Sequence, residues 1–236
     1  VRGESLYVDD VNVRQGTFHA VVFDAPKAHG KIKHIDYSKA EALEGVERIF
    51  TYKNVPGKNQ IGGIIPDEPL FAENEVHFCG MPIALIVAET EFIARQARAL
   101  IDIEIEDLPV ITTAKQAKAK GSFINAPRIF SLGDTEKAFA ECAYVFEGET
   151  FSNGQEHLYI EAQGAYAEPL ENGNIKITSS TQGPTAVQKT VANVLGVAMH
   201  KIEVDVTRLG GGFGGKEDQA TPWAVMAALA TYHLNQ

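Results

Sequence analysis

Five glycines crowd into Gly210-Gly211-Gly212-Phe213-Gly214-Gly215, followed directly by Lys216 and Glu217, and this run limits the fold more than any other stretch. Glycine inside a regular element is less stable than alanine by roughly 0.5–1 kcal/mol, so neither a strand nor a helix should pass through it. Upstream, Ile202, Val204 and Val206 alternate with Glu203, Asp205 and Thr207, a strand pattern. Downstream, the chain predicts a helix over 218–233. The run is therefore a strand-to-helix loop. Its bare backbone can serve positive φ angles, close approach of peptide N–H groups to a ligand, or a tight crossing of a neighbouring backbone.

Two phosphate motifs nearly match. Gly210-x-x-x-x-Gly215-Lys216 has P-loop spacing, but Glu217 stands where a Mg²⁺-binding hydroxyl belongs. Gly210-x-Gly212-x-x-Gly215 has dinucleotide-fingerprint spacing, but the acid expected about 20 residues on falls in Leu234-Asn235-Gln236. Phe213 could lie flat against a planar ligand or anchor the loop in the core; the core anchor is the plainer reading. Glu217, placed in the first turn of the next helix, is favoured there by the helix dipole whatever else it does.

Composition narrows the classes. The chain is 44% hydrophobic and 22% charged, ordinary for a globular protein. Its net charge is 21 − 31 = −10, with no basic cluster, which disfavours nucleic acid as a partner. No apolar run approaches the ~20 residues a bilayer needs, so no membrane association is expected. Cys79 and Cys142 are too few for a four-thiolate cluster and read as buried thiols in a reducing, cytoplasmic compartment. The absence of an initiator methionine hints at a fragment.

The first half alternates strands and helices. Strands are expected at Phe18–Phe23, Lys31–Asp36, Val46–Tyr52 and Ile101–Ile105, with Ile83–Ala88, apolar on both faces, as a central covered strand. Ser38 with Glu41 reads as a capping box. Thr90 should cap a helix whose apolar positions are Phe92, Ile93, Ala97 and Leu100. Residues 1–112 form one module and 113–131 a linker, the latter with a surface helix at Ala114–Lys120. A second module, 132–236, carries a helix through Ala138, Phe139 and Ala143. Strands follow at Tyr144–Thr150, Leu158–Ala167 and Asn174–Ser180, then a helix from Pro184 to Gly196.

Two further polar stretches stand out. Ser179-Ser180-Thr181-Gln182-Gly183-Pro184 joins a strand to a helix start, and Gln182 could offer an uncharged donor and acceptor to a metal-oxo group or simply belong to a capping turn. As a strand, Gln155, His157, Tyr159 and Glu161 would share one face, better suited to a buried hydrogen-bond network than to a metal. The other histidines (His19, His29, His34, His77, His200 and His233) show no ligand spacing.

Taken in order, Gln155-Glu156-His157-x-Tyr159-x-Glu161, Ser180-Thr181-Gln182-Gly183-Pro184 and Gly210 to Glu217 resemble the molybdenum-binding region of the xanthine dehydrogenase/aldehyde oxidase family. The first half is similar to that family's α/β-hammerhead domain, through Gly3-Glu4-x-x-Tyr7-x-Asp9-Asp10, Ala28-His29-Gly30-Lys31-Ile32 and Gly80-Met81-Pro82-Ile83. The resemblance spans the whole chain. It implies an α+β fold: a hammerhead-like domain followed by the first part of a mixed α/β molybdopterin-binding domain.

It also implies roles. Gln182 matches the glutamine that hydrogen-bonds an oxo ligand of molybdenum. Gly212, Phe213 and Gly214 match the loop whose backbone approaches the pterin and its metal, and Glu217 matches the glutamate that grips the purine in xanthine dehydrogenases. The implied reaction is hydroxylation of a purine carbon (hypoxanthine or xanthine to urate) with water-derived oxygen, electrons leaving through iron–sulfur clusters and FAD on other domains or subunits. The cofactor would be molybdenum–molybdopterin, either without a nucleotide or as the cytosine dinucleotide. The family's general base, substrate-binding arginine and aromatic clamp belong to a later part, so the chain reads as an N-terminal piece carrying no catalytic residue, inactive in isolation and partnered by the rest of the molybdenum subunit. The alternatives are an aldehyde or other N-heterocycle oxidoreductase, a P-loop-like nucleotide module, and a non-catalytic interaction domain.

Overall fold

The computed structural model describes residues 2–236. The chain forms two compact units, one made by the chain up to Pro109 together with His157–Gln236, the other by Val110–Glu156.

In the larger unit, β1 (His19–Asp24), β2 (Gly30–Asp36), α1 (Ser38–Glu41), β3 (Val46–Thr51), β4 (Glu75–Val76), β5 (Pro82–Ala88), α2 (Glu91–Leu100) and β6 (Asp102–Asp107) follow one another. They build two antiparallel three-stranded sheets, ordered β1-β5-β3 and β4-β2-β6. β5 is central because every residue from Ile83 to Ala88 is buried, as an apolar run without polar alternation requires. Thr90 caps α2, its Oγ1 accepting from the Ile93 N–H at 3.2 Å. The buried stripe of α2 is Ala94 and Ala97, whereas Phe92 is 69% exposed and Leu100 also faces solvent. The small alanines let the helix approach the sheet closely, which leaves no room there for the larger side chains. Ser38 is the first helical residue rather than a cap; its N–H donates to Asp36 Oδ1 at 2.9 Å.

The smaller unit holds α3 (Ala114–Ala119) and α4 (Thr135–Glu141), with Thr113 and Asp134 as side-chain caps. The strand expected at Tyr144–Thr150 does not form, and Tyr144 (82%) and Phe146 (90%) are exposed. Alternation alone cannot make a strand, because its N–H and C=O groups need a neighbouring ladder. Cys79 and Cys142 are both free and exposed, contrary to the buried thiols expected.

The larger unit continues with β7 (Ala165–Pro169), β8 (Ile175–Ser179), α5 (Pro184–Leu195), β9 (Ile202–Asp205) and α6 (Thr221–Leu234). β7 pairs antiparallel with β8, and β8 pairs parallel with β9 across the α5 connection. Pro184 opens α5, and Gly196, at φ 67°, closes it in the left-handed conformation that an L side chain resists. Only the end of the expected Leu158–Ala167 strand is extended into a ladder; Leu158 has φ 48°, which interrupts an extended chain. α6 starts at Thr221, so Glu217 lies in the preceding turns and outside the first helical turn. Ala224, Val225, Ala228 and Leu229 of α6 are fully buried against β7, β8 and α5, in a core that also takes in Phe50, Leu70 and Leu85. No helix among the described residues is long and apolar enough to cross a membrane.

Candidate functional site

The glycine run lies against two other segments. Where β8 ends, Gln182 and the run hold each other by both main chain and side chain. The Gln182 N–H donates to Lys216 O at 2.9 Å, and Thr181 Oγ1 donates to the same carbonyl at 3.2 Å. In return Gln182 Oε1 accepts from the Gly214 N–H at 3.0 Å and the Lys216 N–H at 3.2 Å. Two donors on one oxygen identify it as the carbonyl end of the amide. The Gln182 NH₂ is thereby left, on an exposed side chain, without an acceptor among the described residues.

Glycine is required here for space as well as for φ. A Cβ at Gly212 would stand 2.4 Å from Gln182 Oε1, and one at Gly215 would stand 2.8 Å from the Tyr159 ring. Gly211 and Gly214 have φ 96° and 90°, and open space surrounds the Gly214 Cβ position. The N–H groups of Gly211, Gly212 and Phe213 find no acceptor among the described residues. The crowding partners are side chains, Gln182, Glu161 and Tyr159, rather than the crossing backbone that is one use of such a run. Phe213 is 75% exposed with φ 52°, so it does not anchor the loop in the core.

Beneath the run is a buried polar cluster. Lys216 is fully buried, and its ammonium donates to Glu161 O (2.6 Å), Ser180 Oγ (2.6 Å) and Glu161 Oε2 (3.1 Å), which uses all three protons. The Ser180 Oγ–H donates to Glu161 Oε2 at 2.7 Å, and the Gly210 N–H donates to the same oxygen at 2.7 Å. The Lys216 ammonium also lies 4.6 Å from the centroid of the Tyr159 ring. Burial pushes the Glu161 carboxyl upward, but hydrogen bonds from Gly210, Ser180 and Lys216 outweigh it and hold the group below its usual range. Gln163 completes the frame: its NH₂ donates to Gly215 O and Tyr159 OH, while its Oε1 accepts from Trp223 Nε1 at 2.6 Å.

Of the residues named from sequence, Gln182, Gly212, Phe213 and Gly214 therefore meet at one loop. Glu217 joins them through its main chain, its carbonyl oxygen lying 3.3 Å from the Gly183 Cβ position. Its side chain is exposed and free of partners among the described residues. The shared strand face of Gln155, His157, Tyr159 and Glu161 does not exist; Glu161 and Tyr159 enter a hydrogen-bonded cluster from irregular backbone instead. In the sequence Lys216 stands out only as the lysine of an incomplete P-loop. Its one available signal was a cation set directly after a bare-backbone run. The nucleotide reading fails structurally, because the glycines lead into turns at 213–220 and present no helix N-terminus to a phosphate.

Comparison with known proteins identifies both halves of the chain. Residues 2–109 match the family model described as "Aldehyde oxidase and xanthine dehydrogenase, a/b hammerhead domain", and residues 117–236 match "Molybdopterin cofactor-binding domain". The whole chain is 41% identical to a xanthine dehydrogenase of Dictyostelium discoideum and 39% identical to one of Oryza sativa subsp. japonica, of which it spans 17% and 18%. Among solved structures, the aldehyde oxidoreductase from Desulfovibrio gigas superposes with a TM-score of 0.84 at 28% identity, covering 97% of this chain and 28% of that one. Quinoline 2-oxidoreductase from Pseudomonas putida 86 does so at 0.80 and 28%, covering 95% and 31%. Both halves thus match one family, and the chain belongs to the aldehyde oxidase and xanthine dehydrogenase family, homologous to the molybdenum-binding region of xanthine dehydrogenase.

Proposed function

We propose that this chain forms one wall of the active site of a xanthine dehydrogenase-type molybdenum hydroxylase that oxidises purines. The observation that carries the reading is the double hold on Gln182 Oε1 by the Gly214 and Lys216 N–H groups, which leaves the amide NH₂ as an oriented donor. That donor fits an oxo ligand, and the unpartnered N–H groups of Gly211, Gly212 and Phe213 fit the polar edge of a pterin. Molybdenum–molybdopterin, when bound, supplies two-electron oxidation of a substrate carbon with oxygen drawn from water.

The chain's own residues would position and recognise. Gln182 donates a hydrogen bond without adding charge. The exposed Glu217 carboxylate can accept from a heterocycle N–H, which favours a purine over a simple aldehyde. Iron–sulfur clusters and FAD belong to other domains or subunits, and the compartment is cytoplasmic, where the exposed thiols of Cys79 and Cys142 stay reduced. An aldehyde substrate is the second reading, supported by the backbone likeness to the Desulfovibrio gigas aldehyde oxidoreductase.

The test uses the complete enzyme. Glu217→Ala is expected to lower kcat/KM for xanthine by roughly 1–3 kcal/mol of transition-state stabilisation, with a much smaller loss for an aldehyde. Equal losses for both would remove Glu217 from purine recognition. Gln182→Ala should lower turnover of both substrates at unchanged molybdenum content per chain.

A further inference from the structure

Two histidines far apart in the sequence meet at the edge of the hammerhead portion, away from the glycine loop's partners. His29 precedes β2 and His77 follows β4, and the ladder pairing Gly30 with Val76 and Lys31 with Glu75 brings them together. Glu75 stands between them: its Oε1 lies 2.9 Å from His29 Nε2 and 3.6 Å from His77 Nδ1. One ligand atom from each of the three lies within 4.8 Å of the other two.

The hydrogen bonding of His29 requires a cation. Its Nδ1 is 2.7 Å from Pro109 O. A carbonyl only accepts, so that nitrogen carries the proton, and in the neutral ring Nε2 is a bare lone pair. This lone pair faces a carboxylate oxygen, so a proton or a metal ion must lie between them. A proton satisfies the His29–Glu75 pair and leaves His77 Nδ1 facing the same carboxylate oxygen at 3.6 Å, longer than a hydrogen bond. A metal ion engages all three. Tetrahedral coordination at roughly 2.0–2.1 Å places ligand atoms about 3.3–3.4 Å apart, and the two separations of 2.9 and 3.6 Å straddle that value.

The frame is already set. A ring nitrogen tied to a backbone carbonyl is how metal-binding imidazoles are commonly oriented. His29 O accepts from the Leu108 N–H at 3.1 Å, and Gly30 sits so close to β6 that a Cβ would stand 2.4 Å from Ile105 Cγ2. Val76, between the other two ligands, is fully buried, which fixes the strand that carries them. The three side chains remain 30–55% exposed, so an ion can reach them from solution.

We propose that His29, Glu75 and His77 form a binding site for a borderline divalent cation, Zn²⁺ being the best match, with water completing the coordination. Two imidazoles and one carboxylate suit Zn²⁺, Co²⁺ or Ni²⁺ better than the all-oxygen preference of Mg²⁺ or Ca²⁺. Protons compete for the site. Ligating imidazoles must be unprotonated, so binding weakens on acidification. Lys31, across the ladder from Glu75, adds a positive charge that moderates the affinity.

The test is calorimetric titration of the metal-stripped chain with ZnCl₂ at pH 7.5, with circular dichroism confirming the fold of each variant. One site is expected, weakened at least about tenfold by His77→Ala and by Glu75→Gln, and about tenfold or more on lowering the pH to 5.5. Cys79→Ser should leave the affinity unchanged. Titration with Co²⁺ should give visible absorption bands that disappear in His29→Ala. No saturable binding, an affinity untouched by His77→Ala and Glu75→Gln, or a loss confined to Cys79→Ser would overturn the assignment.

Discussion

The fully buried ammonium of Lys216 sits 3.1 Å from Oε2 of Glu161, which carries only 9% side-chain exposure, and together they tie the start of the glycine run to its end. Gly210 donates to the same Glu161 oxygen, and Lys216 itself donates its N–H to Gln182. The ion pair is thus a clamp under the glycine loop.

Removing Lys216 leaves the Glu161 carboxylate supported only by hydrogen bonds such as those from Gly210 and Ser180, and breaking a buried pair in this way costs up to about 3–5 kcal/mol. Lys216→Met should therefore lower the unfolding free energy by about that amount in urea denaturation. Combining it with Gln182→Ala should destabilise the chain by less than the sum of the two single effects, because the two residues hold the same loop. Fully additive effects would separate the clamp from the Gln182 contact.

The pH dependence follows from the lowered pKa of Glu161. A carboxyl held below its usual value of 4.5 contributes stability that is complete above that pH and is lost as pH falls through the folded-state value. The stability difference between the wild-type chain and Glu161→Gln should be constant from pH 7 to about pH 5.5 and shrink progressively below about pH 4.5. Chemical denaturation at stepped pH measures it; a difference that grows on acidification would reverse the sign of the argument.

Gly212 and Gly214 should respond differently to alanine. At Gly212 a methyl group would displace Gln182 from the loop, an overpacking cost of about 1–3 kcal/mol. At Gly214 there is room, and only the positive φ opposes substitution, at roughly 1–2 kcal/mol. In the complete enzyme, Gly212→Ala, by displacing Gln182, should also lower turnover more than Gly214→Ala does, measured by steady-state kinetics.

Gly57 makes a separate contact with the end of α5. Its N–H donates to Val194 O at 2.8 Å, and a Cβ would lie 2.2 Å from Asn193 O. Gly57→Ala must push the loop from the helix, with an expected loss of about 1–3 kcal/mol in thermal unfolding. Thr90→Ala, which removes only the α2 cap, should cost about 1 kcal/mol and serves as the comparison.

Much of this molecule can be read from short windows of its chain. The buried strand at Ile83–Ala88, the Thr90 cap, the Pro184 start and Gly196 stop of α5, and the loop at Gly210–Gly215 each follow from propensity, periodicity or backbone freedom within a few residues. The ordered motifs around Gln182 and Glu217 carried the family. Other features depended on partners distant in the chain. Tyr144–Thr150 has strand character but no ladder, Phe213 is aromatic yet exposed, and Glu217 precedes α6 because the turns run on to Ala220. The Lys216–Glu161 clamp and the meeting of His29, Glu75 and His77 arise only when particular strands and loops are set side by side. A local pattern determines what a segment can become; the register and crossing of distant segments determine which side chains share one dielectric and one set of protons.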